Sequence, residues 1–197
     1  MPSVETIKSV VWRWLPGLPW IVLVVYIVAK ITTGKNAKTR EASSARAVVI
    51  AFQVIAFALL FGSTVGILPP SRRFIPDTAT VKVIGTSLAC AGIAVVLWSR
   101  RHLGRFWSAR TTLKVDHQLI RSGPYARVRH PLYSGMLVAV TGTVLATGEW
   151  RGVVSLLILL AMWIHKMRRE EALLTKEFGG LYQDYRKQTG LLFPRVR

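Results

Sequence analysis

Residues 123–135 read GPYARVRHPLYSG, a basic and aromatic segment that leads directly into an apolar stretch of helical length. Pro131 suits the first turn of a helix, so we expect a helix to begin at this point. The positive end of that helix and the side chains of Arg129 and His130 would together attract a carboxylate. The segment therefore predicts a helix start that also carries an anion site.

An acidic pair, Glu170-Glu171, follows the last long apolar stretch of the chain. The 197 residues include only nine acidic ones against 27 lysines and arginines, so two adjacent glutamates need an explanation. They would hold an ammonium group, and His130 and Glu170 are expected to converge around one zwitterionic ligand such as S-adenosylmethionine. Its adenine would need an apolar or aromatic slot, for which the sequence offers Tyr125, Leu119 and Ile120.

Both segments also have a simpler interpretation. Arg129 and His130 would then contact lipid phosphates, and the glutamates would pair with Arg168-Arg169 in an exposed cluster that contributes little to stability. The functional interpretation depends on a coincidence, because both segments fall on the same membrane face and flank the same pair of apolar stretches.

Five apolar stretches divide the chain, at residues 18–31, 47–68, 81–98, 132–147 and 152–165. A bilayer core needs about 20 helical residues. The second and third stretches reach that length, the first reaches it only if its helix begins near Val10, and the last two are shorter. The short link at residues 148–151 predicts a helical hairpin. We therefore expect an all-α, multi-pass membrane bundle of about five transmembrane helices.

The net charge of +18 is spread over the loops between the apolar stretches. A nucleic-acid-binding protein would instead gather its charge on one soluble face, so anionic lipid headgroups are the expected partners. Of the 27 basic residues, 21 fall on one side of a five-span arrangement and 6 on the other. The positive-inside rule then places the loop before the fourth span and the carboxy-terminal tail in the cytosol.

The tail is expected to be helical over residues 166–185, where the fifth helix would leave the membrane and lie back against the loop before the fourth span. Together these two parts would form a cytosolic cap that binds the cofactor. Residues 191–194, Leu-Leu-Phe-Pro, look like a terminal apolar anchor. No repeat or linker divides the chain, so residues 1–197 are expected to form one domain.

Two patterns carry a family resemblance: Gly-x-Tyr-x-x-x-Arg-His-Pro-x-Tyr-x-Gly, and Glu-Glu-x-x-Leu-x-x-x-Phe-Gly-x-x-Tyr-x-x-Tyr. Together they resemble the isoprenylcysteine carboxyl methyltransferase family over residues 99–197, which would form the catalytic half. Related membrane methyltransferases that act on phospholipids or small thiols share much of this pattern. The resemblance implies S-adenosylmethionine as cofactor, S-adenosylhomocysteine as product, and a lipophilic methyl acceptor that enters from the membrane.

The resemblance also implies roles for individual residues. Arg129 would orient the cofactor, and Lys166 lies where the prenylcysteine enzymes carry an arginine proposed to hold the substrate carboxylate. Arg110 would offer a further polar contact. The cofactor-binding positions would be His117, Gln118, Leu119, Ile120, Tyr125, His130, Pro131, Leu132, Tyr133, Glu170 and, next to it, Glu171.

Three other functions stay open beside a carboxyl methyltransferase. These are a phospholipid N-methyltransferase or small-thiol S-methyltransferase with the same cofactor site, a non-catalytic scaffold that binds anionic lipid, and a membrane reductase with a related carboxy-terminal half. A metal site is not expected, because the four histidines lack metal-ligand spacing. No glycine-rich fingerprint follows a strand, so a Rossmann-type methyltransferase is not expected.

Overall fold

The computed structural model describes residues 10–31, 43–104 and 119–195. Two short 3-10 turns, Leu15–Gly17 and Gly123–Ala126, accompany the helices in these ranges, and the described residues contain isolated β-bridges but no strand. The predicted all-α class is therefore confirmed. The helices are α1 (Leu18–Ile31), α2 (Ser43–Phe61), α3 (Ala79–Leu103), α4 (Pro131–Thr147), α5 (Trp150–Phe178) and α6 (Gly180–Gln188).

Three of the described helical stretches are long and apolar enough to cross a membrane: Val10–Ala29, Ala79–Leu103 and Trp150–Phe178. Two further apolar helices, Ala47–Phe61 and Pro131–Thr147, are shorter. The first stretch extends back to Val10, as its predicted length required. The chain is therefore an integral membrane protein, and the count of five spans stays a prediction.

The second apolar stretch does not form the single long helix that its length predicted. Helix α2 ends at Phe61, and the chain then turns, with the Leu68 amide donating to the Gly62 carbonyl at 2.9 Å. Gly66 has a φ of 79°, a left-handed conformation that glycine adopts without strain. Residues 62–68 therefore form a folded turn at the end of the bundle.

Helices α3 and α4 are in close backbone contact along rows of small residues. A Cβ atom at Gly92 would lie 2.4 Å from the Ala139 amide nitrogen and 2.6 Å from the Gly135 carbonyl oxygen. Small residues permit this approach, and packing of this kind drives helix association in membranes. The contact rows are Gly85, Ala89 and Gly92 on α3, and Gly135, Ala139, Gly142 and Ala146 on α4.

We expect Gly92→Val to destabilise the bundle, because the added atoms would overlap with the backbone of α4. Overpacking of this kind lowers the free energy of unfolding by about 1–3 kcal/mol. Thermal unfolding in detergent micelles measures the effect. Ala91→Val is the matched control, since Ala91 is exposed on the same helix; equal unfolding midpoints for the two variants would contradict the close contact.

Two buried hydrogen bonds connect the remaining helices. The Trp20 indole donates to the Thr143 hydroxyl at 2.9 Å, which ties α1 to α4. The Ser155 hydroxyl donates to the Ala56 carbonyl at 2.7 Å, which ties α5 to α2. Polar groups with partners of this kind fix the relative positions of helices in an apolar environment.

The predicted hairpin and tail are both present. Helix α4 ends at Thr147 and is capped by Gly148, which has a left-handed φ of 64°, and α5 begins at Trp150. The fifth apolar stretch is part of the 29-residue α5, which continues beyond it as the expected helical tail. After Gly179 the chain turns back, and the Tyr185 hydroxyl of α6 donates to the Tyr125 carbonyl at 2.6 Å. Strong helix formers after the apolar part of α5 extend it beyond the bundle.

The last described residues pair with the segment that precedes α4. Arg129 donates its amide to the Gly190 carbonyl at 2.8 Å, and the His130 amide donates to Leu191 at 3.1 Å. Leu192 packs against the core, whereas Phe193 is exposed. The terminal anchor therefore acts through backbone hydrogen bonds as well as the apolar contact that its sequence predicted.

Candidate functional site

The two conspicuous segments of the sequence meet where α4 begins and α5 extends beyond its apolar part. His130 is buried, with 6% of its side chain exposed. Its Nδ1 lies 3.7 Å from Glu170 Oε2, and its Nε2 lies 3.6 Å from Glu171 Oε1. The predicted convergence of His130 with the acidic pair is confirmed.

The zwitterionic ligand that His130 and Glu170 are expected to surround stays a prediction. At 3.7 Å, His130 Nδ1 and Glu170 Oε2 leave no room for another group directly between them. Glu170 is nevertheless partly accessible, with 24% of its side chain exposed. A ligand would therefore approach this carboxylate from its open side.

The Arg129 guanidinium makes three hydrogen bonds to other residues of the chain. Its Nε donates to Glu171 Oε1 at 2.6 Å, and its Nη1 donates to the Thr189 carbonyl at 2.6 Å and the Arg186 carbonyl at 3.2 Å. Only 11% of the side chain is exposed. Arg129 thus joins α5, α6 and the terminal segment, while its predicted role toward a cofactor stays a prediction.

Glu171 is the anionic partner in this arrangement. Burial raises the pKa of its carboxyl group, but the neighbouring His130 and Arg129 outweigh burial and lower that pKa to about 2. A further cation is close by, with Arg186 Nε 3.8 Å from Glu171 Oε2. The carboxylate is therefore ionised at neutral pH, and its charge is matched by protein groups.

Glu170 has a different set of neighbours. The Tyr133 hydroxyl donates to Glu170 Oε1 at 3.0 Å, which fixes the carboxylate beside the start of α4. The Lys166 ammonium lies 6.0 Å from the centre of the Tyr133 ring, within cation–π range. Lys166 and Glu170 are one helical turn apart on α5. The Lys166 ammonium and the Glu170 carboxylate therefore both lie next to Tyr133.

The residues present fit a zwitterionic cofactor. Among the described residues, His130 Nε2 is a buried nitrogen without a hydrogen bond of 3.5 Å or less, and the nearest carboxylate oxygen, Glu171 Oε1, lies 3.6 Å away. It suits a further polar contact from a ligand. The Glu170 carboxylate suits an ammonium group, since a charge-assisted hydrogen bond of that type is strong.

The other predicted positions of the site fall into four groups. Pro131 is buried at the first turn of α4, and Leu132 packs against the hydrophobic core. Leu119 and Ile120 are half-buried, which leaves apolar surface available. Tyr125 is buried behind α6, and burial raises the pKa of its hydroxyl. His117, Gln118 and Arg110 lie outside the described residues.

The sequence interpretation did not assign a role to two tyrosines of α6. Tyr182 is 1% exposed, and burial together with the negative charge of Glu171 raises the pKa of its hydroxyl. Burial also raises the pKa of Tyr185 to about 12. Their spacing of three residues places both on one helix face, as expected of a tail that lies back against the loop before the fourth span.

No group of three or more His, Cys, Asp or Glu side chains that could hold a metal ion occurs within residues 10–31, 43–104 and 119–195. The acidic pair has basic and tyrosine neighbours instead. In the part of the chain that the structure describes, the site consists of the paired charges of Arg129 and Glu171 and of the Tyr133 hydroxyl bound to Glu170.

Residues 80–180 match the family model for phospholipid methyltransferases. This match spans α3, α4 and α5, with the polar extension that carries Glu170 and Glu171. The chain belongs to the phospholipid methyltransferase family. The Schizosaccharomyces pombe relative and the solved structure described below confirm the resemblance to isoprenylcysteine carboxyl methyltransferases.

A Schizosaccharomyces pombe protein, protein-S-isoprenylcysteine O-methyltransferase, is 40% identical to this phospholipid methyltransferase family member over 84 residues, 41% of this chain and 35% of that protein. The nickel-cobalt-cadmium resistance protein NccN of Alcaligenes xylosoxydans xylosoxydans is 31% identical over 100 residues, 48% of this chain and 45% of that protein. The chain thus spans less than half the length of each of these curated relatives.

The fold of this family member is similar to a solved structure, that of a eukaryotic intramembrane Ras methyltransferase, isoprenylcysteine carboxyl methyltransferase. The TM-score is 0.54 at 23% sequence identity, and the similarity covers 80% of this chain and 55% of that one. At this identity the similarity concerns the fold. It extends beyond the family match and includes much of the amino-terminal half.

Proposed function

We propose that this chain is an integral membrane methyltransferase that uses S-adenosylmethionine to methylate a lipophilic acceptor, in the manner of isoprenylcysteine carboxyl methyltransferases. The observation that carries the proposal is the cluster of His130, Tyr133 and Glu170 at the start of α4. It lies within the part of the chain that matches the methyltransferase family.

In this proposal each site residue binds one part of the cofactor. Glu170, held by the Tyr133 hydroxyl, accepts hydrogen bonds from the cofactor ammonium group. His130 provides a polar contact through its Nε2 atom. Leu119 and Ile120 provide apolar contact for the adenine, and His117, Gln118 and Tyr125 complete the cofactor site by family resemblance.

The bound cofactor supplies a methyl group on a positively charged sulfur. A carboxylate or thiolate acceptor is already nucleophilic, so the protein needs no general base for it, whereas an amine acceptor must be uncharged. Catalysis then consists of positioning the acceptor and excluding water. The Lys166 ammonium, near the Tyr133 ring, holds an anionic acceptor group beside the site.

A carboxylate on a prenylated thioether is the acceptor we favour. The S. pombe relative is named for O-methylation of an S-isoprenylcysteine, and Lys166 offers a cation at the corresponding place. Lysine lacks the two-pronged donor geometry of arginine, so it binds a carboxylate with less directionality. The family name points to phospholipid amines as the second candidate acceptor.

The site is proposed to face the cytosol. The charge asymmetry supports this orientation, since 21 of the 27 basic residues belong to the loops and tail at the same end of a five-span bundle. The cofactor would then reach the cluster from water, and the acceptor would reach it from the bilayer.

Titration of the full chain in detergent micelles with S-adenosylhomocysteine tests the proposal. We expect saturable binding at one site per chain by isothermal calorimetry. Binding of a nicotinamide cofactor in its place would favour a reductase, and the absence of any saturable binding would leave a scaffold. Labelled S-adenosylmethionine then separates the acceptors, because methyl esters release methanol in base and N-methyl products do not.

A further inference from the structure

An open cavity of about 1040 Å³ lies at the end of the bundle opposite to the His130 cluster. Its lining includes Thr147, the last residue of α4, whereas His130 immediately precedes α4. The 17 residues of α4 separate the two places by about 25 Å at 1.5 Å per residue. Nothing in the proposed methyl transfer uses this cavity.

Three cations from three different parts of the chain line the cavity. Arg13 lies before α1, Arg73 lies in the connection between α2 and α3, and Lys82 lies in the first turn of α3. Because the three cations come from separate parts of the chain, the local structure of one loop does not explain why they lie together. Three cations around one cavity are the arrangement expected around a bound anion.

Arg13 is held in place by neutral groups. Its Nε donates to the Thr64 carbonyl at 2.8 Å, and its Nη2 donates to the Ser63 carbonyl at 2.8 Å. These carbonyls fix the direction of the guanidinium without cancelling its charge. Arg13 is therefore a preorganised cation at the wall of the cavity.

The acidic residues of the cavity cancel these charges only in part. Glu149 pairs with Arg151, which is not a lining residue, at 2.5 Å, and Ser71 Oγ donates to the same carboxylate at 3.2 Å. Asp77 is left to face both Lys82, at 2.7 Å, and Arg73, at 3.5 Å. Asp77 is therefore the lining carboxylate that remains to balance the three lining cations, since Glu149 pairs with Arg151. The described lining keeps an excess of positive charge.

The distribution of basic residues along the chain makes three cations at this cavity unexpected. Only 6 of the 27 basic residues belong to this end of a five-span bundle, and three of the 6 line the same cavity. Membrane proteins place few cations at this face, so those present are expected to have a specific contact.

We propose that this cavity binds the phosphate group of an anionic phospholipid from the leaflet opposite to the His130 cluster. The apolar part of the lining, which includes Pro16, Ile67 and Leu68, gives the acyl chains a surface to follow out of the cavity. Trp12, also in the lining, suits the headgroup region of a bilayer. This inference does not depend on the proposed enzyme activity.

Native mass spectrometry of the full chain in detergent micelles tests the proposal with phosphatidylglycerol and phosphatidylcholine as probes. We expect wild type to retain phosphatidylglycerol in preference to phosphatidylcholine. Arg73→Gln and Lys82→Gln should each weaken phosphatidylglycerol binding about tenfold, since each removes one charged hydrogen-bond donor. Two separate variants keep the test valid if one of them fails to fold.

Arg72→Gln is the matched control, because Arg72 is exposed next to Arg73 and does not line the cavity. It should leave phosphatidylglycerol binding unchanged. An equal loss in Arg72→Gln, or equal retention of the two lipids by wild type, would overturn the proposal in favour of general surface attraction. Displacement of the lipid by millimolar inorganic phosphate would overturn the lipid as the source of the phosphate group.

Discussion

Replacing Arg129 by methionine is expected to lower the free energy of unfolding by about 3–5 kcal/mol, the scale of a buried ion pair that has lost one partner. The substitution leaves the Glu171 carboxylate without its contact at 2.6 Å, and it leaves the Thr189 carbonyl without its donor. Methionine retains much of the side-chain volume, so the change in charge is the main effect. Urea unfolding in detergent micelles, followed by tryptophan fluorescence, measures it.

The acid dependence of stability provides a second measure of the same pair. The pKa of Glu171 is about 2 in the folded chain and ordinarily 4.5. Its contribution is therefore fully present above about pH 4.5 and is lost as the pH falls toward about 2. Arg129→Met should reduce this acid-dependent loss, because the group that most closely faces Glu171 has been removed; His130 and Arg186 would remain.

Lys187→Met is the control for Arg129→Met. Lys187 pairs with Asp184 at 2.9 Å, but 75% of its side chain is exposed, so the loss should be about 0–1 kcal/mol. If the two variants had the same unfolding midpoint, the Arg129–Glu171 pair would not be the connection between α5 and the terminal segment.

Glu170→Gln is expected to weaken the binding of S-adenosylhomocysteine about a hundredfold, because the charged acceptor for the cofactor ammonium group is lost. Glutamine has nearly the same shape, and its carbonyl oxygen can still accept from the Tyr133 hydroxyl. The folded structure should therefore persist. Calorimetric titration of the purified variant measures the affinity, and an unchanged unfolding midpoint shows that the fold is intact.

Glu177→Gln is the matched control for this substitution. Glu177 is exposed on the same helix, two turns beyond Glu170. It should bind the cofactor product as wild type does. Wild-type affinity in Glu170→Gln would remove Glu170 from the proposed site, while the fold and the family membership would stand.

The sequence predicted the location of the candidate site better than its internal contacts. The basic segment before α4 and the acidic pair were expected to meet, and they do. Which basic residue pairs with which glutamate was not predictable, because Arg129 and His130 carry similar signals in a sequence. The pairing depends on the carbonyls of Arg186 and Thr189, which only the fold brings to Arg129.

The fold class followed from apolar stretches, but helix lengths and partners did not. Residues 62–68 continue an apolar stretch and yet form a turn, since hydropathy does not show where a helix ends. The contact of Gly92 with α4 was also missed. Glycines in an apolar stretch indicate close packing only when the opposing helix is known.

The pairing of the last described residues with the segment before α4 has a consequence for biogenesis. The amides of Arg129 and His130 acquire their acceptors only after residues 190 and 191 have been synthesised. The membrane helices can insert earlier, as the chain emerges from the ribosome. The order of synthesis therefore makes the candidate site one of the last parts of the described structure to form, and a ribosome that stalls before residue 190 would leave an inserted chain with that site unfinished.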